Sequence, residues 1–285
     1  MHWRHAVLLP LIALAAMPMA TAGAAPLTIF HADSLAGPMR ALKTAFEVRH
    51  PGTTIALVSG VSRDLAARIL KGETCDVFAP SSPAVIGQDL MGKKVPGTET
   101  DAATWYVVFS ANEMVVITAK GNPLGITQIT DLAKPDVKFV RVTGEKDLAT
   151  NRTIEFVMLA AAKEGRPDLA QAIIDRSPAD PATPVTVPDV VAAVREGRAN
   201  AGIVYYSAAI AARNDVEAVR FPPSVNMSEA IRNAATVPGT AKNPQEAMAF
   251  VAFLLSPEGQ SILQETGQPP VVPAIGHGMV PPEVR

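Results

Sequence analysis

The sequence predicts an α/β fold with mostly parallel sheets and flanking helices, and three observations carry that expectation. Short extended apolar segments alternate along the chain with segments whose apolar residues recur every three or four positions. Pro-Gly or Gly punctuation separates them, as at Pro51-Gly52 and Gly72. Hydroxyl residues stand at successive strand-to-helix junctions: Ser34, Ser62 and the pair Ser81-Ser82. With 285 residues, 48% of them hydrophobic, the chain can fill one large core or two smaller ones.

In chain order, residues 27–31 read as a strand. Leu35, Met39, Leu42 and Phe46 then recur at helical spacing until Pro51-Gly52 stops the helix. Residues 54–58 form a second strand, and Leu65, Ile69 and Leu70 mark a helix ending at Gly72. A third short strand covers 76–79 and a third helix 83–91. Strands are expected at 114–118, 138–142, 184–187 and 201–205. Helices are expected at 154–163, 169–174 and 189–195, then at 243–255 and 258–264, before a proline-rich tail from Pro269. No internal repeat or low-complexity linker interrupts this order.

Residues 1–25 read as an export signal. A basic start (His2, Arg4, His5) precedes the apolar run 6–20 and the small residues Ala20-Thr21-Ala22-Gly23-Ala24-Ala25. Pro10 and Pro18 interrupt the run, which falls short of the ~20 apolar residues a membrane span needs. Cleavage after Ala22 or Ala24 would leave a soluble exported protein. A net charge of -2 speaks against nucleic acid as partner, since phosphate neutralisation needs surplus Lys and Arg. One cysteine, Cys75, excludes an internal disulfide and any multi-cysteine metal cluster. Few aromatics, 5%, argue against a sugar binder.

The serines carry the functional signal. In a parallel sheet the strand-to-helix junctions gather at the carboxyl edge, where open α/β folds bind ligands. Each helix start offers unsatisfied N–H groups and the positive end of a dipole. Several such starts, each bearing a hydroxyl, form a cage of neutral donors for a small anion. Ordinary N-capping would explain any one serine equally well.

The runs Leu27-Thr28-Ile29-Phe30-His31-Ala32-Asp33-Ser34-Leu35, Ser62 with Leu65-Ala66-Ala67-Arg68-Ile69, and Cys75-Asp76-Val77-Phe78-Ala79 resemble molybdate/tungstate-binding proteins of ABC importers. So do Ala201-Gly202-Ile203-Val204-Tyr205 and Leu254-Leu255-Ser256-Pro257-Glu258-Gly259-Gln260. The stretch Gly267-Gln268-Pro269-Pro270-Val271-Val272-Pro273 is similar to their archaeal-type branch. The resemblance covers essentially the whole mature chain in order. It implies a two-lobed, type II periplasmic binding protein with the ligand in the interlobe cleft. Lobe one would comprise residues 26–112 plus 235–285, and lobe two residues 113–234.

The resemblance further implies a periplasmic monomer without enzymatic activity or cofactor, which hands molybdate or tungstate to a membrane permease. By the same carry-over, Ser34 and Ser62 donate hydroxyl and backbone hydrogen bonds to the oxyanion. Ser81 and Val187 occupy matching backbone-donor positions in the two lobes, and Tyr205 that of a ligand-contacting phenol. Asp147 resembles an aspartate that archaeal-type members use to complete a six-coordinate metal centre. Where that branch has a Glu, however, this chain has Tyr205. A carboxylate beside a dianion is repulsive unless protonated, paired or bonded to the metal. Asp147 could equally be a surface residue paired with Lys146 or Arg152. A lining of donors alone would reject protonated phosphate, whose O–H would lack an acceptor; cavity radius, which residue types do not reveal, would separate molybdate and tungstate from the smaller sulfate.

Two other readings compete. A ferric-ion binder would use Tyr205-Tyr206 with Asp147 and nearby His31, because Fe³⁺ favours anionic oxygen ligands. Neighbours on a strand point to opposite faces, however, so that pair needs special geometry at the strand end. A secreted hydrolase would draw on His31, Asp33 and Ser34, but neighbours at one strand end rarely converge into a triad. No G-x-S-x-G elbow is present. Residues 87–94 imitate a phosphate loop, yet Lys94 stands where Ser or Thr is needed and the segment follows no strand.

Overall fold

A computed structural model describes residues 26–144, 147–177, 180 and 182–284. The expected export signal, residues 1–25, lies outside the described residues. The first strand, β1 (Leu27–Ala32), is buried and lies between β2 (Ile55–Gly60) and β3 (Val77–Ala79) in a parallel sheet of order β2-β1-β3. Leu27 pairs with Ile55 and Ile29 with Val77, so the carboxyl ends of the three strands share one edge. From that edge the chain enters α1 (Ala36–Arg49), α2 (Ser62–Ile69) and α3 (Pro83–Asp89). Helix α1 buries Pro38, Met39, Leu42 and Phe46, the i, i+3, i+4 stripe expected of it. It stops where His50 precedes Pro51-Gly52, with Gly52 at φ +99.

The chain then forms β4 (Trp105–Ala111) and passes through Asn112-Glu113 into β5 (Met114–Ala119). Strands β6 (Phe139–Arg141), β7 (Ala201–Tyr205) and β8 (Val216–Val219) complete a second sheet of order β6-β7-β5-β8. Around it lie α4 (Leu148–Lys163), α5 (Asp168–Asp175), α6 (Val187–Arg195) and α7 (Tyr206–Ala211). After β9 (Arg232–Ala235), α8 (Pro244–Leu255) and α9 (Pro257–Glu265), the chain ends in β10 (Pro270–Gly278). Strands β10, β4 and β9 make a third sheet, antiparallel throughout.

The buried apolar residues divide the molecule into two lobes. One core runs from Met114 to Ile231 without contribution from elsewhere. Two adjoining cores draw on residues 27–109 together with 234–284. The two passages between lobes lie side by side, Asn112 N–H donating to the Ile231 carbonyl at 3.1 Å. One close approach fixes the second lobe: a Cβ on Gly202 in β7 would lie 2.5 Å from Val190 Cγ1 in α6. Glycine therefore lets α6 press directly onto the sheet.

Three expectations change. The sheets are not mostly parallel: β1 with β2 and β3, and β6 with β7, run parallel, whereas β4, β5, β8, β9 and β10 pair antiparallel. Residues 184–187 are not a strand, because Thr186 opens α6 through a capping box in which Thr186 N–H donates to Asp189 Oδ2 at 2.9 Å. The proline-rich tail is a strand after all. It occupies the edge of its sheet, where missing N–H groups are tolerated, and its register shifts between Pro270 and Ile275.

Candidate functional site

Between the lobes lies a cavity of ≈ 40 Å³. That is room for about three water-sized groups, against the hundreds of cubic ångströms an organic ligand needs. Ser34, Ser62 and Ser81 line it from the first lobe, and Asp147, Val187 and Tyr205 from the second. All six residues singled out in the sequence thus meet at one place. Helix starts dominate the walls. Ser34 lies in the single 3-10 turn leading into α1, Ser62 is the first residue of α2, Asp147 caps α4 and Val187 opens α6. The positive ends of these helices converge on the cavity.

The serine hydroxyls are not employed as caps. The caps of the turn before α1, of α1, of α2 and of α3 make no side-chain capping hydrogen bond. Ser34 is half-buried. Its carbonyl accepts from Ser207 Oγ at 3.2 Å and from Gln268 Nε2 at 3.1 Å. Ser62 Oγ accepts from the Ser81 N–H at 3.2 Å and lies 3.4 Å from Ser81 Oγ. The Ser81 amide, expected to face the ligand, is therefore engaged with Ser62. That contact holds the Ser62 oxygen by its lone pair. Val187 N–H, at the first position of its helix, is one of the donors a helix start leaves unsatisfied.

Asp147 accepts the Ala149 N–H at 2.9 Å as N-cap of α4. Burial raises its carboxyl above the usual carboxylate range; the Ala149 N–H opposes this, the Asp33 charge adds to it and Arg152 opposes it. Asp33 also lines the cavity, exposed, and accepts from Ser59 Oγ at 2.5 Å. The wall is therefore not made of donors alone, and the argument that it must reject protonated phosphate does not apply. Tyr205 is 3% exposed, and burial pushes its phenol up, against the charge and hydrogen bond of Arg152. It remains a neutral donor at ordinary pH.

Arg152 is the residue that sequence reasoning missed as a site element. It sits one turn into α4, where an arginine ordinarily signals a solvated face. Instead, its Nη1 donates to Tyr205 Oη at 3.0 Å and its Nη2 to the Ser81 carbonyl at 2.8 Å.

The residues of the rival readings assemble only in part: Asp147 and Tyr205, and Asp33 and Ser34, line the cavity, whereas Tyr206 and His31 do not. Tyr206 lies outside the cavity wall with its ring under Arg220, 4.6 Å from centroid to guanidinium carbon. His31 is buried, its Nδ1 2.8 Å from the Ala32 carbonyl, and burial lowers its pKa. Residues 87–94 span the end of α3 and the following turn, where Lys94 pairs with Asp101 at 3.0 Å. Among the described residues no group of three or more His, Cys, Asp or Glu is placed to hold a metal ion.

The chamber is small and is lined by residues of both lobes. The chain belongs to the bacterial extracellular solute-binding protein family, which it matches over residues 27–268. It is 28% identical to the molybdate-binding protein ModA of Mycobacterium bovis over 247 residues, covering 87% of this chain and 85% of that one. Its fold is similar to that of the periplasmic molybdate-binding protein of Azotobacter vinelandii. The TM-score is 0.65 at 17% identity, covering 87% of this chain and 99% of the other. The sulfate-binding protein SubI of Mycobacterium tuberculosis superimposes equally well, with TM-score 0.65, 17% identity and coverage of 87% and 88%. Among the described residues no helix is long and apolar enough to cross a membrane.

Proposed function

We propose that this protein captures a tetrahedral oxyanion, molybdate or tungstate, in the interlobe cavity and delivers it to the permease of an ABC importer. The protein acts in the periplasm as a monomer, needs no cofactor and performs no chemistry on its cargo. Its lobes are residues 26–112 with 235–285, and residues 113–234. The observation that carries this reading is the meeting of four helix starts, three serine hydroxyls and one phenol around space for a single small ion. The similarity to molybdate-binding relatives supports the choice of ion.

Hydroxyls and helix N–H groups suit an anion that stays fully deprotonated, because they only need to donate. Closure would follow from donors on both lobes reaching the same ion. A thermal-shift screen with molybdate, tungstate, sulfate, phosphate and ferric citrate tests the assignment, since a ligand that binds the folded state alone raises the melting temperature. Molybdate and tungstate should give the largest shifts; a shift with ferric citrate alone would replace this reading by the iron one. The doubly substituted Ser34→Ala, Ser62→Ala protein should bind molybdate more weakly by about 2–4 kcal/mol in calorimetry, the loss expected for two charge-assisted hydrogen bonds.

A further inference from the structure

Arg152 belongs to lobe two, yet one of its nitrogens reaches the Ser81 carbonyl on lobe one at 2.8 Å. The other reaches Tyr205 Oη at 3.0 Å, and the guanidinium carbon lies 5.8 Å from the Tyr205 ring centre. Both acceptors sit on residues of the cavity wall. Among the described residues Arg152 takes part in no ion pair, although it is half-buried. Arg152 stands directly behind the wall, whereas Arg63, the arginine of the wall itself, is paired with Asp89 at 3.1 Å. Arg152 is thus a fixed cation held against the site by two neutral oxygens. Its charge also acts on the Asp147 carboxylate of the wall.

Resting on the oxyanion reading above, we propose that Arg152 sets the charge specificity of the site: its positive charge selects a tetrahedral dianion over a monoanion of like size, and its bridge aims the Tyr205 hydroxyl at the ligand.

The second part follows from hydrogen-bond bookkeeping on one oxygen. A phenol has a single proton, and Arg152, which can only donate, occupies a lone pair of Tyr205 Oη. The phenolic hydrogen is thereby turned away from Arg152, and the cavity is the space Tyr205 faces. The first part follows from Coulomb's law. A fixed charge next to the ion, in surroundings of effective dielectric constant about 20, acts twice as strongly on a dianion as on a monoanion. The two carboxylates on the wall, Asp33 and Asp147, oppose any anion, and Arg63 is paired with Asp89, so Arg152 supplies the positive charge that no ion pair offsets.

The test uses tungstate and perrhenate, tetrahedral oxyanions of similar size carrying two charges and one. Calorimetric affinities for both are measured on the wild type and on Arg152→Gln and Arg152→Lys. The wild type should prefer tungstate. Arg152→Gln should narrow the tungstate-to-perrhenate ratio by about 10- to 100-fold. Arg152→Lys retains the charge but not the fork, so it should keep the ratio while both ligands dissociate faster in stopped-flow measurements. Equal loss for both ions in Arg152→Gln would show a merely structural residue and overturn the proposal. So would a ratio that collapses in Arg152→Lys as far as in Arg152→Gln. A wild type that binds neither ion would instead defeat the oxyanion reading itself.

Discussion

Asp147 combines two duties that pull against each other. Its carboxyl caps α4 through the Ala149 N–H and faces a confined cavity shared with Asp33. Burial, more than any neighbour, raises its pKa in the folded protein. In the unfolded chain the group titrates near the usual aspartate value, about 3.9. Between those two values the native state therefore holds a proton that the unfolded state lacks. Stability contributed by this group is present on the acid side and declines as pH rises through the folded pKa. Asp147→Asn keeps a capping oxygen and removes the titration. Urea unfolding from about pH 4 to about pH 7 should show the ligand-free variant gaining on the wild type as pH rises. A difference that stays constant across that range would mean the carboxyl is not raised.

At the scale of elements, the site owes its shape to where helices begin and to how closely one of them approaches a sheet. Val187 reaches the cavity because α6 lies against β7, an approach that Gly202 permits. Gly202→Ala should destabilise the protein by about 1–3 kcal/mol in thermal unfolding, the usual range for overpacking. Val190→Ala in the same chain should recover part of that loss, as neighbours in contact do not add. Much of this level was legible beforehand. The stripe of α1 and the serine junctions follow directly from periodicity and position, and the six wall residues came from those junctions together with the family resemblance. Strand β4 (Trp105–Ala111) was missed, although the strand that follows it, β5 (Met114–Ala119), was expected at 114–118. The chain leaves one lobe and enters the other at Asn112-Glu113 without Gly or Pro to mark it. Arg152 stayed hidden for a related reason: its two acceptors belong to segments 71 and 53 positions away, which local spacing does not reveal.

Across the whole molecule, buried amides join the cavity to the passages between lobes. Gln268, fully buried, donates to the Ser34 carbonyl and accepts from Asn233 Nδ2 at 2.7 Å; Asn233 also donates to Ser110 Oγ at 2.9 Å. On the other side, Asn112 Nδ2 donates to Ser207 Oγ at 2.9 Å, and Ser207 donates to the same Ser34 carbonyl. Ser34 is thus braced from both crossings at once. Gln268→Ala would strand one amide hydrogen of Asn233 and one lone pair of the Ser34 carbonyl in the interior. A loss of about 1–3 kcal/mol in urea unfolding is expected from an unsatisfied buried polar group. An unchanged midpoint would show that water fills the gap.

The Ser34–Gln268 contact joins residues 234 positions apart. A chain growing from its amino end therefore makes the first wall of its chamber well before the brace for that wall. Until residue 268 has been made, the lobe lacks this brace, one of the two donors to the Ser34 carbonyl. Contacts of such long range also form slowly when the chain folds, so this wall of the chamber is fixed late.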